Sequence, residues 1–309
     1  MKTRCGRDEE AMKKNSLTLV YVLLVASVAI WGATWISGRM LARSMGPFSA
    51  AFLRFVSASI FLFILVCREE KRLPRLAPRD LLGTALLGFF GVALYNFLFF
   101  SGLKTVTAGR AALMIACTPA VMALFAALFQ GERLGRLRIC GILTSFLGAS
   151  VILSGGNPLG LFLHGVRPGD AFILGCVGSW AAYSLLGGMV MRRMTPLSAV
   201  AWSCFLGTLM LLPPAVMNGV WEDALRAGPV DWGNIIFLGT IATGLAFTWY
   251  YKGIQVLGSS RAGVFLNLVP VFALILGHLI LDEPLGISLA TGGVLVLFGV
   301  WLTNRRPAG

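Results

Sequence analysis

Only one permanently charged side chain, Arg54, falls inside a long apolar run of this chain. A guanidinium in such surroundings is costly and faces protein or water, which makes Arg54 a candidate contact for a substrate carboxylate or a gate. The alternative is a structural role, binding backbone carbonyls or snorkelling to an interface about two turns away. Other residue types that could recognise a small molecule recur along neighbouring runs. Trp31 and Trp35 share one helical stripe with Ser27 and Gly38, and form either an interfacial belt or a cavity wall. Tyr95 and Asn96 put a phenol and an amide where each must find a hydrogen bond, either as a tie between helices or within a pocket. Ser179, Trp180, Tyr183 and Gly187 share another face. Thr240, Thr243 and Phe247 form a third stripe, and Trp249, Tyr250 and Tyr251 follow toward Lys252, where Tyr251 and Lys252 read as an interfacial anchor. Thr118 precedes Pro119, and Asn267 precedes Pro270. A proline removes a backbone donor and kinks a helix, so Pro119 and Pro270 are the candidates for opening space or gating. The substrate-binding candidates are therefore Trp31, Trp35, Arg54, Tyr95, Asn96, Thr118, Trp180, Tyr183 and Asn267.

What is missing narrows the chemistry. All thirteen acidic residues lie between the apolar runs or at the termini. Carriers of polycations and obligate proton antiporters commonly hold a carboxylate within the membrane, so this distribution argues against cationic substrates and weakens direct proton coupling. Of two histidines, His164 lies in a connecting stretch. His278 lies one turn from Asp282 and is expected to pair with it, structurally or as a pH sensor. The six cysteines lie singly, with no metal-type spacing, and read as small packing residues. No metal or cofactor is implied. Neither a nucleophile beside a base nor a phosphate loop is visible, which counts against the competing class, an intramembrane enzyme acting on lipid-like substrates.

These residues sit in a chain that is 57% hydrophobic and 13% charged, about half the charge of an ordinary soluble domain. Its solvent is the lipid bilayer. A spanning helix needs about 20 mostly apolar residues, and ten runs qualify: 17–38, 47–67, 81–103, 111–130 and 139–156, then 171–191, 197–217, 232–251, 262–281 and 285–303. A barrel would instead show shorter segments of alternating polarity. The expected fold is an all-α integral membrane protein of ten transmembrane helices. The net charge of +13 does not mark a nucleic-acid partner, because the basic residues are spread between the runs. With the N-terminus in the cytoplasm, 19 Lys and Arg fall inside and six outside (Arg39, Arg43, Lys104, Arg110, Arg167, Arg226). This bias puts both termini in the cytoplasm. The first run follows 16 polar residues and lacks a cleavage site, so it is read as retained.

The stretch from Gly102 to Gly148 recurs from Gly253 to Gly299 at a constant offset of 151. Arg110 falls on Arg261, Pro119 on Pro270, Glu132 on Glu283, Gly141 on Gly292 and Gly148 on Gly299. These residue types fix kinks, boundaries and close helix contacts, whereas coincidence in an apolar chain would match Leu and Ala. Two homologous halves of five spans each, an odd number, must face opposite ways across the membrane. That predicts inverted repeats over 17–156 and 171–303, the arrangement that lets a carrier alternate access to a central site.

The pattern G-L-K-x-x-x-A-x-R-A with Pro119 and G-E-R-L, and its copy with Pro270 and D-E-P-L-G, resembles the EamA-type module of the drug/metabolite transporter superfamily. W-G-A-T-W at Trp31–Trp35 and L-R-F at Leu53–Phe55 resemble the opening of that module. The second half departs from it, since no Arg in 197–217 matches Arg54. The resemblance implies a permease of the cell inner membrane and, for the fifth and tenth spans with their glycines, a packing or dimerising surface away from the cavity. A homodimer is thus the one protein partner suggested. The function expected is secondary transport, in the export direction, of small neutral or zwitterionic metabolites such as amino acids, by alternating access.

Overall fold

The computed structural model describes residues 2–71, 76–118, 120–121, 135–157, 166–190, 193–257 and 265–304. Pro119, Glu132, His164 and Arg261 lie outside these residues, as does much of the fourth predicted span. Every regular element described is a helix: α1 (Lys2–Ser44), α2 (Pro47–Glu70), α3 (Pro78–Leu103), α4 (Ala108–Ile115), α5 (Arg136–Ser154), α6 (Pro168–Val190) and α7 (Pro196–Met217). After the short α8 (Val220–Arg226) come α9 (229–257), α10 (Val269–Leu281) and α11 (Ile287–Asn304). Helices α2, α3, α6, α7 and α9 open on proline, whose fixed φ suits the first turn and whose missing donor is not needed there. Among the described residues, four helices are long and apolar enough to cross a bilayer: Leu17–Ser44 within α1, α2, α3 and α7.

Two helices change register midway. α3 carries a π-helical segment at Gly88–Leu94 and α9 another at Phe237–Leu245. At the offset of 151 the first maps onto 239–245, so the two halves widen at the same place. The local cause is close packing. A Cβ on Gly88 would stand 2.8 Å from the Ser203 carbonyl on α7, and one on Gly239 2.6 Å from the Arg54 carbonyl on α2. Glycine at both positions lets backbone meet backbone.

The interruptions before the prolines also coincide. α4 stops at Ile115 and a turn follows at Ala116–Cys117, while a 3-10 turn at Leu266–Leu268 leads into α10. Pro270 therefore sits in the first turn of a new helix rather than bending a continuous one, as the sequence suggested.

The glycine stripes have a definite partner. α5 and α11 form the most extensive helix pair described. A Cβ on Gly148 would lie 2.7 Å from the Gly292 carbonyl, and one on Gly299 2.6 Å from the Gly141 carbonyl. Gly141 thus faces Gly299 while Gly148 faces Gly292, so the two equivalent helices cross antiparallel. This glycine face is spent inside the chain. The side chains left outward, among them Leu143, Leu147, Val294 and Phe298, are exposed and apolar.

Other helix pairs obey the same exchange. α1 packs on α9 and α10, as α6 packs on α3 and α4; α2 packs on α9, as α7 packs on α3; and α2–α7 and α4–α10 are self-equivalent. The exceptions lie at one end. α1 also touches the last turns of α3 and the body of α4, and α2 touches the last turns of α3, whereas among the described residues no comparable contact joins α6 to α9 or α10, or α7 to α9.

That sealed end holds a polar cluster. The sequence reading ends the first span at residue 38 and leaves Arg39 in an outer loop; instead α1 continues to Ser44 and Arg39 is 7% exposed. Its Nη1 donates to the Leu103 carbonyl at 2.6 Å and to that of Val106, while Nε lies 3.6 Å from Glu283 Oε1. Glu283 in turn accepts the backbone N–H groups of Ala108 at 2.8 Å and Gly109 at 3.2 Å, the free donors at the start of α4. Nearby, Arg110 makes a forked pair with Asp170 (3.0 and 2.8 Å) and donates to the Leu153 carbonyl. His278 Nδ1 lies 3.1 Å from the Glu283 carbonyl, so the expected partner, the Asp282 carboxylate, is not the group it meets.

Candidate functional site

A cavity of about 490 Å³ lies between the halves and is lined by α1, α2, α3 and α4 on one side and by α6, α7, α9 and α10 on the other. Only α5, α8 and α11 stay away from it among the described helices. Of the predicted site residues, Trp31, Trp35, Arg54, Tyr95, Asn96, Thr118, Trp180, Tyr183 and Pro270 all line this space. Asn267 lies in the 3-10 turn beside the lining residues Leu266 and Val269. Pro119 is outside the described residues.

The π segments shape the cavity wall. A π turn leaves carbonyls without their usual helical donors, and side chains take them up. Trp31 Nε1 donates to the Ala242 carbonyl at 3.0 Å, and Thr243 donates to that of Leu238 at 2.8 Å. On the other side Ser179 donates to the Phe90 carbonyl at 2.6 Å, and Asn96 Nδ2 to that of Val92 at 2.9 Å. Trp31 and Ser179 thus each bridge from the first helix of one half to the π segment of the other.

Aromatic rings cover the rest of the wall in two facing sets. Trp31 packs against Phe247 and Tyr250, both at 5.1 Å between ring centres. Trp180 packs against Tyr95 at 5.5 Å and Tyr183 at 5.2 Å. Tyr183 lies flat on the α3 backbone at Gly91, where a Cβ would come within 2.3 Å of its ring. Trp35, the most buried of these lining tryptophans, packs against Phe99, which also lines the cavity.

Arg54 and Asn96, singled out separately in the sequence, are joined: Arg54 Nη1 donates to Asn96 Oδ1 at 2.9 Å. The guanidinium also sits over the Phe55 ring, 5.0 Å from its centre. Its buried Nε has no hydrogen-bond acceptor. No carboxylate lines the cavity and none pairs with Arg54 among the described residues. No cluster of potential metal ligands occurs among them either.

The model of the EamA-like transporter family matches residues 18–154 and again 167–305. The chain belongs to that family. As an EamA-like transporter it is similar to the uncharacterized transporter YyaM of Bacillus subtilis, with 27% identity over 91% of this chain and 92% of that one. It is similar also to an uncharacterized transporter of Archaeoglobus fulgidus, with 28% identity over 94% of this chain and 99% of the other. A probable terminal-alkyne amino-acid exporter of Streptantibioticus cattleyicolor is 29% identical over 93% of each chain. A protein of known crystal structure superposes with a TM-score of 0.60 over 92% of this chain and 97% of its own, at 20% identity, which speaks to the fold. This EamA-like chain is thus a multi-pass membrane transporter and not an enzyme.

Sequence reasoning missed part of the wall. Tyr250, read as one of an interfacial aromatic cluster, lines the cavity beside Phe247, and Thr34, Ser203 and Cys204 line it too. The signal that could have found Phe247 and Tyr250 was available, since the offset of 151 carries Asn96 and Phe99 onto them.

Proposed function

We propose that this EamA-like protein is a secondary transporter that exports small neutral or zwitterionic metabolites, with amino acids as the leading class. It works by alternating access, in the cell inner membrane, with both termini in the cytoplasm. Its ten spans form two inverted five-helix repeats. Support for the inversion comes from the constant offset of 151, the antiparallel crossing of the equivalent α5 and α11, and the exchange symmetry of the helix pairs. Support for the orientation is the excess of basic residues on one side.

The observation that carries the reading is the cavity between the halves. Its volume falls within the roughly 300–1,000 Å³ usual for small-molecule sites. Its walls are aromatic, its polar groups are few, and its single charge among the described residues is a cation. Aromatic walls favour a partly apolar body, and the lack of a carboxylate disfavours a polycation. The similarity to a probable amino-acid exporter points the same way. A homodimer would use the outward apolar side of α5 and α11, because their glycines are occupied within the chain.

The test is uptake of radiolabelled amino acids into proteoliposomes that contain the purified protein. Accumulation that depends on the protein and saturates with substrate supports the reading. Flux equal to protein-free vesicles across an amino-acid panel defeats it.

A further inference from the structure

We infer that Arg54 is the binding site for the substrate's carboxylate, that the amine is dispensable, and that simple monocarboxylates with an apolar body are carried as anions. This deepens the transport reading above and rests on it. Four observations lead there. The guanidinium lines the cavity with its Nε buried and without an acceptor. Its one side-chain hydrogen bond goes to a neutral amide oxygen, Asn96 Oδ1, and its other neighbour is the Phe55 ring. Neither neutralises it. The wall around it includes no carboxylate among the described residues. Glu283 and Asp170, the two deeply buried acids among the described residues, are committed at the sealed end to Arg39 and the start of α4, and to Arg110.

A buried cation with open donor capacity and no counter-ion is the site an anion fills best. The two terminal nitrogens carry four N–H groups, of which Asn96 takes one, so a carboxylate entering from the cavity can pair with the others in the planar fork that guanidinium offers. An ammonium group in the same cavity has no ionic partner. Among the described lining residues it meets aromatic faces, hydroxyls, the Asn96 amide, the Cys204 thiol and backbone carbonyls, beside a fixed positive charge that repels it. The pocket therefore reads the carboxylate and the apolar body, and leaves the amine unread.

Charge movement follows from this. A zwitterion crosses without net charge, whereas a monocarboxylate carries one negative charge outward. A membrane that is negative inside drives that movement without a coupled proton. For one charge, 100 mV sustains a gradient of about 50-fold at equilibrium.

The experiment compares three solutes of one shape in proteoliposomes: L-phenylalanine, N-acetyl-L-phenylalanine and phenethylamine, each with and without an inside-positive potassium diffusion potential set by valinomycin. L-Phenylalanine is expected to enter with little response to the potential. N-Acetyl-L-phenylalanine is expected to enter and to accumulate several-fold more when the interior is positive. Phenethylamine is expected to enter at least tenfold more slowly. Arg54→Gln should weaken uptake of both carboxylates about 10- to 100-fold, the range of a charge-assisted hydrogen bond. Arg54→Lys, which keeps the charge, should preserve the response to potential and so excludes simple misfolding as the cause. Phenethylamine moving as fast as L-phenylalanine, or N-acetyl-L-phenylalanine excluded or indifferent to potential, overturns the inference and leaves a transporter standing. Failure of all three to enter overturns the inference when other amino acids of the panel still enter, and overturns the transport reading itself when none does.

Discussion

Arg39 and Glu283 show how a membrane protein seals one end with charge. Each alone would be an uncompensated ion almost out of reach of water. Together, with two carbonyls bonded to the guanidinium and two N–H groups bonded to the carboxylate, nearly every polar demand is met. The cluster ties α1, the last turn of α3, the start of α4 and the α10–α11 connection. Removing one member should therefore hurt more than removing both. Glu283→Gln and Arg39→Gln are each expected to destabilise the purified protein by roughly 3–5 kcal/mol, seen as a lower thermal midpoint in detergent. The double substitution should recover part of that loss, because no lone charge remains. Strict additivity of the two single effects would dismiss the pair as a unit. The same scale holds the aromatic wall. Trp31→Ala with Trp180→Ala deletes one ring from each facing set and should weaken substrate binding by tenfold or more, while the folded protein stays monodisperse. Since Trp31 also donates to the Ala242 carbonyl, a Trp31→Phe control separates that lost hydrogen bond from the lost ring.

Among the elements, α5 and α11 do the plainest structural work. Their four glycines put two backbones in contact, leaving no space for a side chain that rearrangement could supply. Gly148→Leu or Gly292→Leu should each cost at least about 1–3 kcal/mol, the usual penalty of overpacking. Leu147→Ala, whose outward side chain is more than half exposed, should change the thermal midpoint little. A Gly148→Leu protein that melts with the wild type would mean that the crossing is looser than described. The glycine spacing was legible in the sequence because close helix contact depends on one residue type at a helical repeat. The π segments of α3 and α9 were not. They arise where Gly88 and Gly239 press on a neighbouring backbone and where Trp31, Ser179 and Thr243 take up the released carbonyls, and those partners lie far away along the chain. Tyr250 was left out of the site for a related reason: it stands in an aromatic run next to Tyr251 and Lys252, the pair read as an interfacial anchor, and only the folded helix shows its ring packed on Trp31.

Across the whole molecule, the repeat was the most legible feature, since an offset of 151 carries residue types that cannot be exchanged freely. What the repeat alone could not reveal is how the two halves differ. The offset of 151 carries Arg39 onto the uncharged Val190, and among the described residues contacts join α1 to α3 and α4 without a comparable set between α6 and α9 or α10. One end thus carries the salt-bridged cluster of Arg39 and Glu283, while the described contacts at the other are of a different kind, Arg193 with Asp80 and Glu70 with Thr195 and Ser198. Exchange of conformations between similar halves would then open the first end as the second closes. Spin labels at Arg43→Cys and Lys104→Cys report on the sealed end, and labels at Arg193→Cys and Val256→Cys on the other, in a cysteine-replaced background. Addition of a transported carboxylate should shift the two distances in opposite senses by several ångströms, and Glu283→Gln should shift them the same way before any substrate is added, because it removes the charge that holds Arg39. Distances that stay fixed in both proteins, with and without substrate, would rule out alternating access between these ends and leave the cavity as a binding site without a carrier cycle.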